Sequence, residues 1–166
     1  MPSGMDKNSS FQFKLIEGVP NKESLKTLLD LYSSIFKDAR IDFFKQRLTI
    51  KENVLSIIAS KDQKPIGFKV GYRYDETTFY SWVGGTLEDF RKRGIAQHLA
   101  ELQQNWVKNK GYSKLRTKSM NRFKPMMILN LKNGFEIVKV YTNKSGQTKI
   151  IFEKNLVSAE NGSSTS

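Results

Sequence analysis

The spacing of apolar residues changes several times along the chain, and each change marks a new element. Phe11 to Ile16 suits a short first strand. Asn21 then stands where a helix cap belongs, with Ser24 nearby, ahead of Leu25, Leu28, Leu29, Tyr32, Ile35 and Phe36. Steps of three and four put that set on one helical face. Asp38 to Arg40 breaks the pattern, and Asp42 to about Thr49 predicts a second, shorter helix. Val54 to Ala59 is rich in branched apolar residues and predicts a strand, followed by a turn from Lys61 to Lys64. Ile66, Phe68, Val70 and Tyr72 alternate with Gly67, Lys69, Gly71 and Arg73, the period of two that a strand requires. Asp75 and Glu76 mark a hairpin turn. Phe79, Ser81 and Val83 then alternate with Tyr80 and Trp82 in a strand that runs into Gly84-Gly85.

Past Arg91 to Gly94 the period becomes helical. Ile95, Leu99, Leu102 and Trp106 share a face, and Lys110-Gly111 ends the helix. Lys114 to Thr117 predicts a strand. Asn121 can cap a further helix, in which Pro125 is tolerable only in the first turn. Gly134 closes it, and Phe135 to Tyr141 with Thr148 to Phe152 reads as a final hairpin around Asn143 to Gly146. The order β-α-α-β-β-β-α-β-α-β-β implies a mixed α/β fold, with helices on both faces of a mixed sheet. One domain is expected over residues 11–156. It is flanked by a mobile tail over 1–10 and a disordered tail over 157–166, both rich in Ser, Gly and Asn.

Composition narrows the chemistry. A chain of 166 residues fits one domain. No apolar run approaches the ~20 residues that span a bilayer, and the first ten residues lack a signal-peptide core, so a soluble cytoplasmic protein is the expectation. The sequence has no cysteine and a single histidine, His98. The lack of cysteine excludes disulfides, thiolate zinc sites and a cysteine nucleophile, and the single histidine argues against a histidine-rich metal site or a serine–histidine triad, so no metal site is expected. His98 reads as an ordinary helix residue. The net charge of +12 admits nucleic acid, an anionic membrane surface or a polyanionic small molecule as partners. The lysines are scattered along the whole chain, which weakens the nucleic-acid case, and like charges disfavour a polycationic partner.

The segment most informative about function is Leu87-Glu88-Asp89-Phe90-Arg91-Lys92-Arg93-Gly94-Ile95-Ala96. A strand ends, a basic turn follows, and a helix opens on small residues. A helix N-terminus offers unpaired N–H groups and a partial positive charge. Gly94 permits close approach of an anion, Ala96 keeps the surface low, and Arg91, Lys92 and Arg93 add charge, which makes a plausible pyrophosphate cradle. Alone, so short a pattern is weakly specific.

In context the chain resembles the GNAT superfamily of N-acetyltransferases. Arg91, Gly94 and Ala96 match that family's Arg/Gln-x-x-Gly-x-Gly/Ala signature between a strand and a long helix. Ser119 to Phe135 matches its second block, with Asn121 in the turn and Gly134-Phe135 at the close. The resemblance covers about Val54 to Phe152. It implies a GNAT-like, mostly antiparallel central sheet and acetyl-coenzyme A (acetyl-CoA) as cofactor. The pyrophosphate would rest on backbone N–H groups of Lys92, Arg93, Gly94, Ile95 and Ala96, and the pantetheine arm would pair with Gly85, Thr86 and Leu87. Asn121 would flank the arm's outer end, and the thioester would lie where the two central strands splay apart. A backbone N–H near Leu87 would stabilise the oxyanion.

One position departs from the family. Many members carry a tyrosine acid four residues before the Gly-Phe glycine, and here that place is Asn130. An amide cannot serve as an acid, so Asn130 is read as a cofactor contact. Glu88 is the first candidate to take the proton of the amine. Asp38 and Asp42, in the joint between the first two helices, and Tyr80 and Trp82, on the central strand, are candidate substrate contacts. The implied reaction is direct acetyl transfer to an amine, small or on a peptide or protein, in a ternary complex. A catalytically silent acyl-CoA-binding sensor or scaffold is the alternative, with a basic nucleic-acid-binding domain behind it. Homodimers are common in the family and compatible with this chain.

Overall fold

A computed structural model of the protein describes residues 11–156. The two terminal tails expected from composition lie outside the described residues. Among these residues seven strands and four helices follow in the order β1 (Phe11–Glu17), α1 (Lys22–Ile35), α2 (Ile41–Ile50), β2 (Leu55–Lys61), β3 (Lys64–Arg73), β4 (Thr78–Thr86), α3 (Ile95–Asn109), β5 (Lys114–Met120), α4 (Lys124–Lys132), β6 (Glu136–Thr142) and β7 (Thr148–Asn155). A 3-10 turn, Glu88–Phe90, sits between β4 and α3. The element order is the one the periodicities predict. The strands form one sheet in the order β1-β2-β3-β4-β5-β7-β6. Pairing is antiparallel between β1 and β2, β2 and β3, β5 and β7, and β6 and β7, whereas β4 and β5 run parallel. None of the described helices is long and apolar enough to cross a membrane.

The chain divides into two compact units. One holds the residues up to Tyr72 with Val83–Gln103, and the other holds Arg73–Trp82 with the residues from Gln104 onward. Strand β4 and helix α3 each contribute to both.

In the first unit the sheet is covered on both faces. Asn21 caps α1 by accepting the Ser24 N–H at 2.8 Å, and Leu28 and Leu31 are buried along it. Phe44 of α2 stacks on Tyr32 of α1 at 4.2 Å, and both Phe44 and Phe36 meet Phe68 of β3 edge-on. Phe68 is fully buried, as are Ile66 and Val70. Gly67 alternates with Phe68 and so faces the other way, in register with Ala59 and Phe13. On that side Phe13 stacks on His98 of α3 at 4.2 Å. The turn between β2 and β3 closes through Asp62 and Gln63, both at positive φ (50° and 70°), the backbone of a tight two-residue hairpin.

In the second unit Asp75 builds the turn into β4. Its carboxylate accepts the N–H groups of Thr77 at 2.9 Å and Thr78 at 2.8 Å. These bonds, the Thr77 amide first, hold the Asp75 carboxyl below its ordinary range. Phe79 is fully buried and packs edge-on against Trp106 and Tyr112. Thr117 Oγ1 donates to Ser81 O at 2.8 Å where the parallel register of β4 with β5 reaches its last pair. Strand β5 continues against β7 as far as Met120↔Lys149.

Candidate active site

The end of β4 is built on two glycines that no other residue could replace without movement. A Cβ on Gly84 would fall 2.9 Å from the Phe68 carbonyl oxygen, and one on Gly85 would fall 2.8 Å from Ile35 Cγ2. The first is backbone and cannot yield cheaply, so β4 lies closer to β3 and α1 than a side chain allows. Leu87 then donates its N–H to Ile66 O at 2.8 Å. This corrects the expectation that Leu87 supplies an oxyanion N–H: its single hydrogen is held within the sheet.

The basic turn follows. Phe90 N–H returns to Leu87 O at 2.9 Å, and Arg91 N–H to Glu88 O at 3.2 Å. Arg91 also sends Nε back to Thr86 O at 3.1 Å, so its side chain braces the turn as well as charging it. Lys92 takes φ +64° and Gly94 φ +80°. The first α-helical bond runs from His98 N–H to Gly94 O at 3.0 Å. Amides ahead of it have no partner inside the helix. The site of a Gly94 Cβ has nothing within 4 Å. Arg91, Lys92, Arg93, Gly94 and Ala96 are all exposed, while Ile95 is buried and pins the helix to the sheet. The start of α3 is therefore bare, positively charged and anchored from beneath.

The other expected residues are placed as follows. Glu88 is exposed at the head of the turn. Asp38 and Asp42 are exposed at the joint of α1 and α2. Gly85 is half-buried and Thr86 buried, with the Thr86 Oγ1 unpartnered. These belong to the first unit. In the second, Tyr80 and Trp82 are half-buried on β4. Asn130, on α4, is 8% exposed and its Nδ2 has no partner. An orphaned buried donor costs about 1–3 kcal/mol, which fits a group kept for a ligand. Asn121 does not cap α4. The capping position is Phe123, which makes no side-chain cap bond. The Asn121 carbonyl instead accepts Lys124 Nζ at 3.0 Å, and Pro125 falls in the first turn as expected.

Two residues in the first unit were not singled out by the sequence. Lys69 lies against Gly84, its Cγ 3.3 Å from where that Cβ would stand, and burial lowers its ammonium to about 8. Gln103 occupies the buried stripe of α3 with Ile95 and Leu99, 1% exposed and with both amide atoms unpartnered. The only signal for Lys69 was its place between Gly67 and Gly71, where it has no large neighbours on its own strand.

A sheet that mixes antiparallel pairing with the parallel β4–β5 pair, with a bare and positively charged helix start after β4, defines a mixed α/β fold. The sequence matches the acetyltransferase (GNAT) family over residues 23–126, more than half of the chain. The chain belongs to that family. Solved structures agree on the fold. The ribosomal-protein-S18-alanine N-acetyltransferase of Escherichia coli superposes with a TM-score of 0.73 at 12% identity, over 87% of this chain and 94% of that one. A GNAT acetyltransferase from Elizabethkingia anophelis, solved with acetyl-CoA bound, gives 0.72 at 22% identity, over 89% and 99%. NAA60 of Arabidopsis thaliana, in complex with a bisubstrate analogue, gives 0.67 at 20% identity, over 87% and 98%. No curated protein matches the chain in sequence.

Proposed function

We propose that the chain moves an acetyl group from acetyl-CoA to an amine, and that the turn at Gly94 holds the diphosphate of the cofactor. Membership of the GNAT family supports acetyl transfer, and the acetyl-CoA bound to the Elizabethkingia protein supports the choice of cofactor. The observation that carries the reading is the open backbone at Gly94, with φ +80° and nothing within 4 Å of a Cβ there. The fit is good on this chain's own residues: a helix start whose residues Lys92, Arg93, Gly94 and Ala96 are exposed, with cations among them.

When bound, the cofactor supplies an activated thioester. The protein's part is to grip the anionic end, to orient the arm along Gly85 and Thr86, and to manage protons. The amine must arrive unprotonated. Glu88 is exposed beside the turn and is the first acceptor of that proton. Lys69, lowered to about 8 by burial, is a second group near enough to neutrality to take one. The chain has no cysteine, in keeping with direct transfer in a ternary complex. Asp38, Asp42, Tyr80 and Trp82 remain the proposed substrate contacts, and Asn121 and Asn130 proposed cofactor contacts.

The test is thiol release from acetyl-CoA with a panel of amines and peptides, alongside a thermal shift by coenzyme A. Release with at least one amine, together with a shift, is the expected result. A shift without release would mark the chain as a sensor, a reading that the non-ionising Asn130 keeps in play. Neither effect would overturn both. Asn130→Ala should weaken cofactor binding by about tenfold while leaving kcat within about threefold; an isolated loss of kcat contradicts a binding role.

A further inference from the structure

Three strands of the second unit carry an uneven charge distribution that the proposed acetyl transfer does not use. In register across β5, β7 and β6, one face presents rows of side chains. The first row is Arg116, Glu153 and Glu136, where Arg116 takes Glu153 at 3.0 Å. The next holds Lys118, Ile151 and Lys139, and the third holds Met120, Lys149 and Tyr141. The acids therefore stand at one end and three lysines at the other. Lys118 and Lys139 are exposed, and each ammonium lies over the ring of Tyr141, at 5.9 and 5.4 Å. Lys149 is half-buried and donates to Met120 Sδ at 3.1 Å, and a thioether is a weak acceptor for an ammonium. Beyond the third row a cavity of about 210 Å³ opens, lined by Met120, Asn121, Arg122, Gln147 and Thr148, with no carboxylate among them.

A ring and a thioether are poor company for three ammonium groups when carboxylates are available elsewhere on the same face. Exposed charges kept together without counter-charges cost stability and favour an anionic partner. The patch also has a size. Two residues along a strand and two strand spacings make it roughly 7 by 10 Å, wider than one carboxylate. We propose that this lysine face, as distinct from the neighbouring cavity that holds the proposed cofactor contact Asn121, binds the acidic part of the acceptor, a peptide or protein segment that carries its free amine close to several carboxylates. The inference rests on the acetyl-transfer reading for what happens to the amine, but not for the binding itself.

The experiment uses the full chain and two labelled peptides with free N-termini, one bearing four consecutive Glu or Asp after the first residue and one bearing Gln or Asn instead. Anisotropy without cofactor should show the acidic peptide binding about tenfold or more tighter, with the gap shrinking as salt rises. The double variant K139E/K149E should abolish the preference. K26E, which reverses an exposed charge on α1, should keep it. If charge reversal lowers the melting temperature, K139Q/K149Q replaces it. Equal binding of both peptides overturns the proposal, as does tighter binding of a short RNA than of the acidic peptide. A loss of coenzyme A affinity in the double variant as large as the loss for peptide also overturns it, because the lysines would then serve the phosphates of the cofactor. Acidic-peptide binding without thiol release would sustain the docking surface and sink acetyl transfer. Thiol release indifferent to peptide charge would do the reverse.

Discussion

Two glycines at helix boundaries share a backbone conformation and differ in everything around it. Gly94, before α3, has φ +80°, and Gly134, after α4, has φ +87°. Around Gly134 the structure is closed. Lys154 Cε stands 3.4 Å from where a Cβ would be, and Lys154 Nζ donates to the Asn133 carbonyl and, at 2.8 Å, to Gln104 Oε1. A cation thus sits on the negative end of α4, and the last carbonyls find donors within the protein. At Gly94 no side chain comes near, and the positive end of α3 carries further cations instead of an acid. A helix terminus that is finished internally is architecture; one left bare, with its charge reinforced, keeps N–H groups that the proposed diphosphate would fill.

The strongest way to break that contrast is Gly94→Glu. A carboxylate placed over the bare amides should lower coenzyme A affinity by about a hundredfold or more, measured by calorimetry on protein with an unchanged circular dichroism spectrum. Next comes Lys69, which differs from Lys154 in having no acceptor to offset its burial. Lys69→Met should stabilise the protein by about 1–3 kcal/mol at pH 7. The folded ammonium titrates at about 8 rather than 10.5, so the unfolded chain binds more protons between those values. Stability of the parent protein should therefore rise with pH across that window, and the advantage of the variant should fade by pH 10.5. Denaturant melts at pH 7, 9 and 10.5 check this. Lys154→Met, which opens the closed end, should cost about 1–2 kcal/mol in the same melts and leave coenzyme A affinity unchanged. The mildest change is Gly94→Asn, because asparagine tolerates positive φ and adds no charge; affinity should stay within about threefold.

Much of this contrast was legible in the chain. Period changes located elements such as α1, β3, β4 and α3, where one buried face leaves a repeat of two or of about 3.6 in the sequence. Strand β2, buried along most of its length, and β6, exposed along most of its length, were instead placed by composition and turn residues. The Arg91–Gly94 turn and the Asn21 cap were readable for the same reason: their chemistry is local. What stayed hidden depends on partners distant in sequence. The Leu87 N–H looked available until β3 supplied Ile66 O. Lys69 looked like a solvated member of an alternating strand until Gly84 brought β4 against it. Gln103 hid because an amide in an apolar stripe reads as an exposed position. Asn121 had the right residue type for a cap, but the chain reaches α4 two residues later, through Phe123.

A diphosphate on bare amides is tested most directly by comparing coenzyme A with pantetheine, which shares the arm but lacks the diphosphate and the nucleotide beyond it, in the parent protein and in Gly94→Glu. Calorimetric titration of the parent protein should show coenzyme A binding about a hundredfold tighter, and in Gly94→Glu that gap should collapse to within about threefold. A gap of the same size in both proteins, or none in the parent, would contradict the account.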